Sequence, residues 1–237
     1  MKRERWPTFL TSGNLMCGVL SMMLVYHGHL TAAAWLIVVA ILFDFLDGKI
    51  ARMLGVSGDF GKEFDSLADI VSFGAAPALL MYAYALHSYG LFGAMVGVIY
   101  VLCGALRLAR FNLSKPMPYF LGLPITAAGG FIVSLFISKV FLPLPIMVAI
   151  IFGVSYLMVS KVKYGNLKKL SKRNQLNRKV FLLLFFIFCG ITIASPRMAP
   201  LITMTVYVLS GPLGLDWGEI IIVKSSEEGE ENESKEA

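Results

Sequence analysis

The chain has 237 residues, 57% of them hydrophobic and 15% charged, with a formal net charge of +6 and a mean hydropathy of +0.73. An ordinary soluble domain carries about 25% charged residues, so that class is excluded. Segments in lipid must satisfy their own backbone polar groups, and the alternating pattern of a membrane β-barrel is missing. An all-α, polytopic membrane bundle follows.

The amino terminus, MKRERWPTFL, places basic residues before an apolar run. A cleavable signal peptide can begin so, but the run continues through GNLMCGVLSMMLVYHGHL with no convincing cleavage site. A retained first helix is expected. Eight spans of near-membrane length can be drawn, near 9–27, 31–51, 65–86, 91–110, 122–138, 143–160, 180–196 and 199–213, the last interrupted by SGPLGLDWG. Cys17, Cys103 and Cys189 lie far apart within apolar runs, with no CxxC pair, so neither a zinc cluster nor a disulfide framework is expected. His27, His29 and His87 fall near helix ends and are expected to be interfacial polar residues.

Basic residues cluster before the first span (Lys2, Arg3, Arg5), between the second and third (Lys49, Arg52, Lys62) and after the fourth (Arg107, Arg110, Lys115). Eight more fall between Lys161 and Lys179. With eight spans all four clusters lie on one side, and the opposite connections carry only Lys139 and Arg197. The positive-inside rule then puts both termini in the cytoplasm, the basic loops facing an anionic leaflet. Membrane loops account for the basic 161–179 segment, and no nucleic-acid partner is expected. Residues 1–223 are expected to form one transmembrane domain. The segment 224–237, with six glutamates, two lysines and no apolar residue larger than alanine, is expected to be a disordered acidic cytoplasmic tail.

Six of the nine acids outside that tail fall in DFLDGKIARMLGVSGDFGKEFDSLAD, residues 44–69. A centred aspartate costs about 2.5–3.5 kcal/mol to insert, so four of them need compensation. Asp44, Asp47, Gly48 and Ala51 share one helix face at i, i+3, i+4 and i+7, and Asp65 and Asp69 share another at i and i+4. Gly55, Gly58 and Gly61 suit a tight reversal between the two helices. The acidic faces can therefore meet near the membrane surface. Oxygen ligands without sulfur or imidazole point to Mg²⁺ or Mn²⁺, and two such ions bridged by shared aspartates would suit phosphoryl displacement. Gly48, Ala51 and Gly61 would leave a slot for a planar group, and Arg52 can hold a phosphate. Two other classes fit intramembrane acids: a structural ion-pair network and an ion-coupled transporter. The clustering at one interface and the lack of an evident inverted repeat weigh against the second.

At these residues the chain resembles the CDP-alcohol phosphatidyltransferase family. The signature D-x2-D-G-x2-A-R-x8-G-x3-D-x3-D is met in full by Asp44, Asp47, Gly48, Ala51, Arg52, Gly61, Asp65 and Asp69. The resemblance implies a six-helix catalytic core, roughly 9–179 with two extra helices over 180–213, commonly dimeric, that exchanges CMP on a CDP-linked lipid for another hydroxyl compound. It implies two metal ions held by Asp44, Asp47 and Asp65, with Asp69 also reaching a metal and acting as general base. Gly48, Ala51 and Gly61 would flank the cytosine and Arg52 the diphosphate, Asp47 serving both metal and nucleotide. No P-loop competes for the nucleotide.

The chain further resembles the integral-membrane phosphatidylserine synthases, through FLTSGNLMCG, IVSFGAAPA, RLARFN, YFLGLP and SKVKYGNLKK. Where glycerol-phosphate transferases of the family typically show DPxxDK, this chain has DSLADI. CDP-diacylglycerol and L-serine are thus the implied substrates, with glycerol 3-phosphate or inositol phosphate as alternative acceptors. A serine carboxylate beside four aspartates needs a counter-charge, and Arg107 or Arg110 is expected to supply it or to bind lipid phosphate. Thr11, Asn14, Asn112 and Ser72 are candidate polar contacts to nucleotide or serine.

Overall fold

In the computed structural model the described residues are 5–55, 58–113, 120–140, 142–164 and 195–214. They are mostly helical. The long apolar runs become α1 (Arg5–Tyr26) and α2 (Leu30–Leu54), an antiparallel pair turned by Gly28 at φ 78°. Small residues on α2, among them Ala33, Ala34 and Ala40, are fully buried and let the helices approach closely. Ser21 donates to the Ala33 carbonyl at 2.9 Å across this interface.

α2 stops at Gly55, whose left-handed backbone (φ 64°) only glycine adopts without strain. Gly58 is extended and leads into α3 (Asp59–Asp69). The reversal is shorter than the glycine pattern suggested: Gly61 lies inside α3, and Met53 and Leu54 are still in α2. After Asp69 the chain widens into a π-helical turn, Ile70–Ala75, before α4 (Ala76–Tyr84). A 3₁₀ turn, Leu86–Tyr89, then precedes α5 (Leu91–Leu113). The strands β1 (Phe120–Leu121) and β2 (Lys163–Tyr164) pair antiparallel, and between them run α6 (Ile125–Ile137) and α7 (Leu144–Val159). α8 (Ala199–Ser210) packs against α6.

Among the described residues four stretches are long and apolar enough to cross a membrane: Pro7–Tyr26, Leu30–Leu54, Asp59–Tyr84 and Leu91–Leu113. They match the first four expected spans, the third starting six residues earlier than 65. The fifth, sixth and eighth appear as shorter apolar helices, α6, α7 and α8. α6 begins only at Ile125, because Gly122 is left-handed at φ 75° and Pro124 is extended at ψ 138°; the N–H groups of Gly122 and Leu123 bond to the carbonyls of Val162 (2.9 Å) and Leu157 (3.0 Å). The expected seventh span, Cys189, nearly all of the basic 161–179 segment and the acidic tail lie outside the described residues.

One end of the bundle is tied together by the cations expected there. Lys62 Nζ donates to the Asn112 carbonyl at 2.8 Å, and Arg110 donates to the Val159 carbonyl at 2.8 Å. The start of α3 and the ends of α5 and α7 therefore share that end, together with the β1–β2 pair.

Candidate active site

The helical period puts Asp44 and Asp47 on one face of α2, and α3, packed on α1, carries Asp65 to that face. Carboxylate oxygens of Asp44, Asp47 and Asp65 all lie within 4.8 Å of one another. At about 4 Å and an effective dielectric constant of ~20, each ionised pair repels by about 4 kcal/mol. Two side-chain hydroxyls hydrogen-bond to this trio, and the Gly48 N–H also bonds to Asp47. Thr11 Oγ1 on α1 lies 2.9 Å from Asp47 Oδ2, and 3.0 Å from the Pro7 carbonyl, so one proton serves two acceptors. Thr126 Oγ1, at the start of α6, donates to Asp44 Oδ2 at 3.1 Å. Asp65 Oδ1 is buried with no hydrogen-bond partner. An oxygen-only set, crowded, partly buried and with an orphaned acceptor, fits a hard divalent cation.

Asp69 stands at the edge of this trio. It is 7% exposed, and its Oδ1 accepts from Asn14 Nδ2 at 3.3 Å. Asn14 is fully buried and its Oδ1 has no partner. The two α1 side chains thus serve the aspartates: Thr11 meets Asp47 and Asn14 meets Asp69.

There is open space beside two of the small motif residues. A Cβ on Gly61 would meet nothing within 4 Å, and one on Gly48 would meet only the Arg52 guanidinium, at 3.5 Å and beyond. Ala51 is half-buried, and Arg52 is exposed, lying along the same face of α2.

The structure separates the two arginines. Arg107 is 8% exposed, its Nε has no partner, and its charge acts on Asp69 and Asp44. Its guanidinium carbon lies 5.6 Å from the centre of the Phe111 ring. Arg110 points outward and bonds to the end of α7. Asn112 joins α5 to α3, its Nδ2 reaching Ser66 Oγ at 3.0 Å and Glu63 Oε2 at 3.2 Å. Ser72 is fully buried and donates to the Asn14 carbonyl at 2.9 Å. Thr126 went unnoticed in the sequence. Its one signal is a hydroxyl at the mouth of a helix opened by Pro124, which nothing local ties to Asp44.

The model of the CDP-alcohol phosphatidyltransferase family matches residues 5–168. The chain belongs to that family. The matched segment contains every aspartate of the site, Thr11, Asn14, Arg107 and Thr126, and ends before α8. Among curated relatives, a CDP-diacylglycerol–serine O-phosphatidyltransferase of Helicobacter pylori is 34% identical over 221 residues, covering 87% of this chain and 89% of the relative. A Bacillus subtilis protein of the same name is 39% identical over 170 residues, 71% of this chain and 94% of the relative. An archaetidylserine synthase of Methanothermobacter thermautotrophicus is 42% identical over 162 residues, 67% of this chain and 68% of the relative.

Proposed function

We propose that this chain transfers the phosphatidyl group of CDP-diacylglycerol to the hydroxyl of L-serine, giving phosphatidylserine and CMP. The observation that carries this is the carboxylate trio with its orphaned Asp65 oxygen, built on the complete family motif. The serine acceptor is supported by relatives whose names specify serine, aligned over most of this chain.

Asp44, Asp47 and Asp65 would hold divalent cations, Mg²⁺ or Mn²⁺ and two in number, with Asp69 at their edge. When bound, such ions neutralise charge on the diphosphate and on the departing CMP. The protein's own groups do the rest. Gly48, Ala51 and Gly61 leave a slot for the cytosine, and Arg52 faces the diphosphate. Asp69 takes the proton of the serine hydroxyl as its oxygen bonds to the phosphorus bearing diacylglycerol and the bond from that phosphorus to CMP breaks. Thr11 and Asn14 orient Asp47 and Asp69. Arg107, buried beside Asp69 with an unused Nε, receives the serine carboxylate. Arg110, Asn112 and Ser72 brace the helices around it.

The same proposal places the chain in the cytoplasmic membrane as a homodimer. Each copy has eight spans with a six-helix core, and both termini and the site face the cytoplasm and its anionic lipids. The reaction is tested with purified protein, CDP-diacylglycerol, Mn²⁺ and labelled serine, which should give labelled phosphatidylserine and CMP in equal amounts. CMP release only with glycerol 3-phosphate or inositol phosphate removes the serine acceptor. No CMP release with any alcohol, together with ion-driven uptake into vesicles, removes the enzyme.

A further inference from the structure

The third span changes its winding directly after the proposed base. α3 ends at Asp69, and the next six residues, Ile70–Ala75, are π-helical. The Ala76 N–H reaches back to the Val71 carbonyl, five residues away. Single π turns inside α-helices are often found at functional sites, and their wider winding shifts carbonyls away from their α-helical partners. Here two consecutive residues of the turn are fastened to neighbouring helices. The Tyr100 hydroxyl on α5 donates to the Phe73 carbonyl at 2.9 Å, with both residues buried to within 1%. The Ser72 hydroxyl donates to the Asn14 carbonyl on α1 at 2.9 Å, and the Asn14 side chain in turn donates to Asp69 at 3.3 Å.

These bonds close a ring from Asp69 through Asn14 and Ser72 back along the backbone to Asp69, and Tyr100 pins the turn within it from the opposite side. Two helices press against the turn at glycine. A Cβ on Gly18 would collide with the Ser72 side chain, and one on Gly129 would sit 2.9 Å from the Phe73 carbonyl. The turn therefore has little room to shift while its fastenings hold.

We infer that Tyr100 is a positioning residue for the reaction: by holding the Phe73 carbonyl it fixes the π turn, and through Ser72 and Asn14 the turn sets where the Asp69 carboxylate stands. Tyr100 touches no reacting atom. Tyr100→Phe keeps the ring and removes the donor, leaving a buried carbonyl unpaired. The turn then shifts to find another partner and carries Asn14 and Asp69 with it.

The inference rests on Asp69 as the base, and the test separates the two. In Tyr100→Phe, kcat should fall on the order of tenfold, as an ångström-scale misplacement of a reacting group allows. The KM values for CDP-diacylglycerol and serine, and Mn²⁺ affinity, should stay within about twofold. In an Asp69→Asn background the same change should cost no further rate, because the group it positions is gone. An equal loss in both backgrounds, or no loss in either, overturns the role of Tyr100. Near-normal turnover of Asp69→Asn alone overturns the base instead. If Tyr100→Phe does not fold, Ser72→Ala releases the other fastening and must show the same pattern of reduced kcat, kept KM and no added loss with Asp69→Asn; any other pattern refutes the inference.

Discussion

Arg107→Ala probes the proposed acceptor site. Arg107 is 8% exposed, lies near Asp69 and Asp44, and leaves its Nε unpartnered. A serine carboxylate arriving beside these aspartates would meet repulsion without it. A hydrogen bond to a charged group contributes about 1.5–3 kcal/mol. At 1.4 kcal/mol per factor of ten, its loss raises the serine KM by roughly 10- to 150-fold. CDP-diacylglycerol contacts lie elsewhere in this arrangement, so its KM should hold within about twofold. The assay is CMP release in detergent micelles, titrating serine at saturating lipid and then the reverse. Arg107→Lys should recover only part of the loss, because an ammonium cannot offer the planar fork. Arg110, occupied with the Val159 carbonyl, is the internal comparison, and Arg110→Ala should leave the serine KM near its starting value. A raised lipid KM in Arg107→Ala moves the residue to the phosphate site. A raised serine KM in Arg110→Ala, with none in Arg107→Ala, refutes the assignment outright.

Thr126→Val removes the 3.1 Å bond to Asp44 and should weaken Mn²⁺ binding about tenfold in a direct titration, with Thr126→Ser restoring it; unchanged affinity would show that Asp44 needs no help. Asp65→Asn should abolish both turnover and tight Mn²⁺ binding, because it removes the carboxylate charge at the oxygen left without a hydrogen bond; retained Mn²⁺ affinity would remove Asp65 from the metal seat. Gly18→Ala drives a Cβ into the Ser72 side chain and should destabilise the fold by about 1–3 kcal/mol, read as a lower melting temperature in detergent; an unchanged melt would mean that α1 and the π turn separate freely.

The acidic faces were legible because they are local. Spacings of three and four residues place Asp44 with Asp47, and Asp65 with Asp69, whatever the rest of the chain does. The ends of the helices were less so: Gly61 reads as turn-forming, yet α3 begins before it, since Gly55 already supplies the left-handed residue the reversal needs. Thr126 is 82 residues from Asp44, and no local period announces that α6 will meet α2. The π turn had one local signal, Pro77, which offers no N–H to the Phe73 carbonyl four residues before it; that Tyr100, 27 residues on, would take this carbonyl had none. Arg107 and Arg110, at i and i+3, are equivalent by spacing. The end of α7, which arrives nearly fifty residues later, is what claims one and leaves the other facing the aspartates.

How the site's charge is balanced bears on the proposed mechanism. Arg52 and Arg107 act on the Asp44–Asp47–Asp65 trio through their charge, but its side-chain hydrogen bonds come from neutral hydroxyls, those of Thr11 and Thr126. They orient a carboxylate without cancelling its charge. A lysine or arginine bonded directly to the trio would have competed with an incoming cation for the same carboxylate oxygens. Instead the buried cation, Arg107, is placed where its strongest interaction is with Asp69, at the margin. On the proposed mechanism the carboxylates are thus left for the ions that would bind the diphosphate, and Arg107 stands beside Asp69 for an acceptor that brings its own carboxylate. Glycerol 3-phosphate or inositol phosphate would bring a phosphate of about −1.5 to −2 charge to that one guanidinium where serine brings a single carboxylate, so the proposed margin suits serine better.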